Sequence, residues 1–164
     1  MHCNVQSDMQ RYVAVVGSGS CSTQEAIAAE EVGALLARAG AVLVCGGLSG
    51  VMEAACRGAR REGGLTVGIL PGNDRTAANA HVVVAIASGL GELRNGLVVR
   101  ASDVLIAVGG EFGTLSEIGF ALKLGKRVVG LGTWELSRHT DAILRASTPE
   151  DALRLALADP PATD

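Results

Sequence analysis

One stretch of the chain gathers groups able to hold and act on an anion: Gly109-Gly110-Glu111-Phe112-Gly113-Thr114-Leu115-Ser116-Glu117. Glycines in a turn leave amide N–H groups free to face a ligand, and Thr114 adds a hydroxyl. A helix opening at this point would bring the positive end of its dipole. Glu117 follows one turn on, which sets its carboxylate close to the same opening. Equally, Thr114-x-x-Glu117 has the form of a capping box, in which Glu117 only bonds the cap's own N–H. A second cluster, Gly89-Leu90-Gly91-Glu92-Leu93-Arg94-Asn95, sets a guanidinium after two glycines. Arg94 stands where a helix pattern opens, and on pattern alone it reads as a surface helix residue. Gly17-Ser18-Gly19 and Cys45-Gly46-Gly47-Leu48-Ser49-Gly50 complete the set.

These clusters match neither of two common phosphate motifs. GxxxxGK[ST] is absent, and the GxGxxG fingerprint lacks its third glycine after Gly17 and Gly19. The run ending at Cys45 carries no acidic residue for a ribose diol, which disfavours NAD. A mononucleotide or another phosphate-bearing small molecule fits better. His2, His81 and His139 are scattered and the four cysteines form no CxxC pair, so neither a metal nor a resident cofactor is expected.

The elements that must position these groups are legible in the hydrophobic pattern. Short, almost wholly apolar runs at 12–17, 41–46, 65–70, 81–86, 103–108 and 127–131 read as strands covered on both faces. Between them lie helix patterns at 22–39, 51–62, 92–101 and 114–124, with a last one at 149–158. Ser22 and Glu25 form a capping-box pair, Gly40 and Gly125 close helices, and Thr148-Pro149 opens the last. The alternation predicts an α/β fold: one Rossmann-like, doubly wound domain over 11–158, with a mainly parallel sheet of six to seven strands. Residues 1–10 and 159–164 read as flexible tails, and 73–80 as a loop. In such a sheet ligands bind beyond the carboxyl ends of the strands. Eleven of the 22 glycines (17, 19, 46, 47, 50, 72, 89, 91, 109, 110 and 113) fall on that edge.

Composition narrows the partners. With 164 residues, 48% hydrophobic and 19% charged, the chain can bury one core. A net charge of −3 and four aromatics (Tyr12, Phe112, Phe120, Trp134) disfavour nucleic acid, both as an electrostatic partner and as a stacked strand. Arg57, Arg60 and Arg61 read as one solvated helix face. No run is long and apolar enough for a membrane span, and the polar start carries no leader pattern, so a cytoplasmic protein with free thiols is expected. Phe112 is the one aromatic expected near the site.

Gly109-Gly110-x-x-Gly113-Thr114-x-x-Glu117 resembles the PGGxGTxxE motif of the Lonely-guy (LOG) family, whose members were once taken for lysine decarboxylases. The likeness extends from about residue 11 to 134 through the glycine clusters above and Gly-Leu-Thr-Val-Gly-Ile-Leu-Pro-Gly at 64–72. Within that superfamily the chain looks closest to a small bacterial branch to which molybdenum-cofactor carrier proteins are similar. The resemblance implies a cleft for a nucleoside 5′-monophosphate, hydrolysed at its N-glycosidic bond, with Arg94 and Glu117 as catalytic residues. It also implies Gly17, Ser18, Gly19, Gly46, Gly47, Gly50, Asn95, Gly109, Gly110, Gly113 and Thr114 around the ligand. The alternative it implies is a non-catalytic carrier of a phosphorylated ligand such as the molybdenum cofactor. Val108, Asn95 and Phe112 stand where LOG enzymes have proline, lysine and tyrosine; the first two match the smaller branch. A homodimer is expected from the resemblance and from Val/Leu/Ala-rich helix faces.

Overall fold

A computed structural model describes residues 9–159. Most of the two expected tails, with His2 and Cys3, lies outside the described residues. Seven strands form one sheet: β1 (Tyr12–Gly17), β2 (Val42–Cys45), β3 (Thr66–Leu70), β4 (Val84–Ala87), β5 (Val104–Val108), β6 (Arg127–Leu131) and β7 (Ile143–Ala146). Their order is β4-β3-β2-β1-β5-β6-β7, and every neighbouring pair is parallel. The helices are α1 (Thr23–Arg38), α2 (Val51–Arg61), α3 (Asn95–Arg100), α4 (Phe112–Lys123) and α5 (Pro149–Leu157).

The central strands are apolar throughout because each face buries its own set. Val13 and Val15 of β1 join Leu43, Ile106 and Leu36 in the core under α1, α2 and α5, while Ala14 and Val16 join Val44, Leu105 and Ile118 under α3 and α4. Two glycines set the distance between α1 and α2. A Cβ on Gly33 would overlap the Ala55 carbonyl, and one on Gly58 the Glu30 carbonyl, so the two helix backbones touch. Arg57 and Arg61 turn toward the same seam and pair with Glu30 at 2.8 and 2.7 Å.

Three boundaries depart from the sequence pattern. The fourth strand begins at Val84 rather than 81, because the Asn79 side chain captures the His81 N–H and holds that stretch in a turn. The expected helix 92–101 is split into a 3₁₀ turn, Gly91–Arg94, and α3. The helix expected from Thr114 opens two residues earlier, since positive φ angles at Gly109 and Gly110 turn the chain at once after β5. The short seventh strand, Ile143–Ala146, was absent from the apolar runs because its two central residues face solvent.

Candidate functional site

The direction in which successive strands are added reverses between β1 and β5, the switch point of the all-parallel sheet, and there the loops part to leave a crevice. A cavity of about 160 Å³ lies at that position. From the end of β1 come Gly17, Ser18 and Gly19; a Cβ on Gly17 would lie 2.6 Å from both the Val108 carbonyl and Val51. The loop is tied to the start of α2, where the Val51 N–H donates to the Ser18 carbonyl and the Ser49 hydroxyl to the Gly19 carbonyl, each at 3.0 Å. Gly46, just past β2, forms the next wall. The far side is the cap and first two turns of α4, with Glu111, Gly113, Thr114 and Glu117.

Thr114 and Glu117 do not form a capping box. Glu111 occupies the cap position and its side chain makes no capping bond, so Thr114 lies inside the helix. Both residues are buried, at 3% and 6% exposure, against the cavity. Of the two readings of Glu117, the structural one is therefore removed.

Arg94 closes the cavity from the 3₁₀ turn before α3. It is buried, and its guanidinium lies so close over Gly46 that a Cβ there would overlap Nη1. Nη1 donates to Asn95 Oδ1 at 2.9 Å, and Asn95 Nδ2 donates to the Ser116 hydroxyl at 3.4 Å, which links the arginine to α4. Nη1 stands 4.0 Å from Glu117 Oε1. Among the described residues, Arg94 Nε is the one buried side-chain nitrogen or oxygen left without a partner. An unpaired buried donor on a cation is costly, and an anion in the cavity would balance the guanidinium charge that lines it, although Nε itself has no surface open to the cavity.

The electrostatics follow from burial. Loss of water pushes the Glu117 carboxyl up to about 8, with Arg94 pulling only part of the way back. Burial likewise lowers the Arg94 guanidinium from its ordinary value, opposed by the charges of Glu117 and Cys45. At neutral pH the pair is therefore a guanidinium beside a protonated acid, a site with net positive charge.

The structure brings Gly17, Ser18, Gly19, Gly46, Arg94, Asn95, Gly113, Thr114 and Glu117 around this one cavity. Gly47, Gly50, Gly109 and Gly110 are not on its wall; they shape the loops behind it, all four with positive φ. Val15, Val16, Met52 and Glu111 line the cavity without having been expected. The expectation of a lone aromatic also fails. Trp134 packs on Phe112 with ring centroids 5.5 Å apart and donates its indole N–H to the Glu111 carbonyl. The residues between β6 and β7 carried no pattern that would bring Trp134 there.

A family model for the SLOG cluster4 family matches residues 10–162. The chain belongs to that family. A 119-residue stretch, 73% of this SLOG chain, is 47% identical to an uncharacterised protein of Archaeoglobus fulgidus and covers 78% of it. The structure of the molybdenum cofactor binding protein from Rippkaea orientalis is similar over 91% of this chain and 96% of that one, with 37% identity and a TM-score of 0.85. The molybdenum cofactor carrier protein of Chlamydomonas reinhardtii is similar over 88% of this chain and 94% of that one, with 35% identity and a TM-score of 0.81. The LOG-like resemblance and the doubly wound fold both stand. Among the described residues, no helix is long and apolar enough to cross a membrane.

Proposed function

We propose that this SLOG domain binds a phosphate-bearing small molecule with its anionic group on Arg94, and that it holds the ligand rather than cleaving it. The observation that carries this reading is the buried Arg94 guanidinium on the wall of a glycine-lined cavity. The loop amides after β1 and the first turn of α4 supply further donors. The cavity of about 160 Å³ suits a phosphate and part of what it is attached to, leaving the remainder of a heterocyclic ligand outside. Likeness to two proteins described as molybdenum-cofactor binding or carrying supports a phosphorylated pterin of that class as cargo.

Hydrolysis of a nucleoside 5′-monophosphate is the second reading, favoured by Arg94 and Glu117 sharing one cavity. Glu117, raised to about 8 by burial, would serve there as a general acid toward the leaving base, whereas stabilising an oxocarbenium ion or activating water would need its ionised form.

The test is native mass spectrometry of the purified protein, beside an assay of nucleoside monophosphates for free base and ribose 5-phosphate. A co-purifying phosphate ligand without turnover is expected. Arg94→Ala should weaken binding of added AMP about 10- to 150-fold, the loss of one charge-assisted hydrogen bond at roughly 1.5–3 kcal/mol. Turnover that Glu117→Ala abolishes would overturn the carrier reading in favour of the hydrolase.

A further inference from the structure

The sulfurs behind the cavity have no part in that reading. Cys45 ends β2 and Cys56 lies in the second turn of α2; both are fully buried, with their Sγ atoms 3.5 Å apart. Cys45 Sγ also accepts the Gly47 N–H at 3.3 Å. The residue between them in sequence, Gly46, is the one on which the Arg94 guanidinium rests. On the outer side, Asn79 fixes the same connection, its N–H donating to the Gly47 carbonyl at 2.9 Å and its amide to the Leu48 carbonyl at 2.8 Å. The sulfur pair is therefore one residue away from the group that faces the ligand.

The two thiols are not equivalent. The hydrogen bond from Cys56, the Gly47 N–H and the Arg94 charge hold the Cys45 thiol below its ordinary value, against the opposing effect of burial. Cys56 is pushed up, by donating to Cys45 and by its own burial. Both sulfurs are sealed from solvent, so an oxidant reaches them only when the Gly46 loop opens; Cys45, next to that loop, is then the sulfur that attacks first, and Cys56, 3.5 Å away, the one that resolves.

We propose that Cys45 and Cys56 are a redox pair, oxidised by a peroxide to an intramolecular disulfide that displaces Gly46 and loosens the Arg94 wall of the cavity. In the first step Cys45 Sγ attacks one peroxide oxygen and the O–O bond breaks. Hydrogen peroxide leaves as water, having taken up the Cys45 proton, and Cys45 becomes a sulfenic acid. Cys56 Sγ then attacks that sulfur, and the hydroxyl leaves as a second water with the Cys56 proton. Two thiols and one peroxide give one disulfide and two waters.

The bond demands movement, because sulfurs 3.5 Å apart must close to about 2.05 Å. Helix α2 has little slack to give, since its Gly58 and Ala55 backbone touches α1. On the β1 side the ladder of β2 stops at Val44, while on the β3 side it runs on through Cys45 opposite Gly68, so Gly46 is the first residue beyond the ladder and the one that must shift. Formation of the disulfide is independent of what the cavity holds; the loss of affinity rests on the ligand reading above.

The experiment uses a C3S/C21S background, in which the pair supplies the only thiols. Both cysteines fall in one tryptic peptide, 39–57. After hydrogen peroxide this peptide should lose about two mass units, regained with dithiothreitol, and Cys56→Ser should remove that loss. Amide exchange across 46–50 should quicken about tenfold in the oxidised protein. If reduced protein binds AMP, the oxidised form should bind it at least about tenfold more weakly. Absence of the two-unit loss, or its appearance with exchange across 46–50 unchanged, would overturn the proposal. Reduced protein that ignores AMP would count against the ligand reading alone, while peptide mass and exchange still decide the thiol pair.

Discussion

Glu117 pays a desolvation penalty that a ligand site can use and that stability must bear. Its carboxyl is raised to about 8 in the folded protein and returns to the ordinary carboxylate range on unfolding. Below that ordinary range both states are protonated and no penalty exists. Between it and about 8 the folded state holds a proton that the unfolded state has lost, so stability falls as pH rises, by up to about 1.4 kcal/mol per pH unit. Thermal melts from pH 5 to 9 should show this decline, and Glu117→Gln should flatten it and raise the melting temperature at pH 9. A wild-type curve equally steep in Glu117→Gln would refute the assignment. Arg94 and Glu117 could be named from the chain because the glycine-marked segments that hold them resemble the LOG pattern. Which role Glu117 plays could not, since cap and site share one spacing; only the turn at Gly109 and Gly110, which opens α4 two residues early, separates them.

At the scale of elements, the α1–α2 contact holds the second glycine loop in place. Gly58 sits where a methyl group would collide with the Glu30 carbonyl, and a backbone carbonyl cannot swing aside as a flexible side chain does. Gly58→Ala should therefore cost about 1–3 kcal/mol despite the better helix propensity of alanine, read as a lower denaturant midpoint. Gly119, also on a helix, meets nothing within 4 Å of an added Cβ, so Gly119→Ala should be neutral or mildly stabilising in the same titration. Sequence placed α1 and α2 almost to the residue because Ser22 and the glycines after each helix mark their ends. It gave Gly33 and Gly58 no role, because close helix approach is a property of two segments at once. The same limit hid Trp134, whose place beside Phe112 depends on the path from β6 to β7.

For the whole molecule, the layers are unequal, with three helices over one sheet face and two over the other. Val84 and Ile86 of β4 are in register with Val67 and Ile69, and so point to the side that carries α3 and α4. They are 41% and 46% exposed, and Leu97 of α3 and Phe120 of α4 are exposed on that side as well. The connection before β4 contains only a short 3₁₀ turn, Arg75–Ala77, so no crossover helix covers this end of the sheet. An apolar edge strand left open invites pairing with other chains, and a symmetric partner would cover it by offering the same patch in return. We propose a homodimer through this face. Sedimentation of the wild type at micromolar concentration should give twice the monomer mass, and Ile86→Asp with Phe120→Asp should give a folded monomer. A wild-type monomer, or a doubly substituted protein that still dimerises, would show that the face serves something else. Because Leu93 and Arg94 are consecutive in the 3₁₀ turn and Leu93 is 81% exposed, ligand binding should weaken in the monomer if the partner steadies that turn. Comparing AMP affinity in the two forms measures that coupling directly.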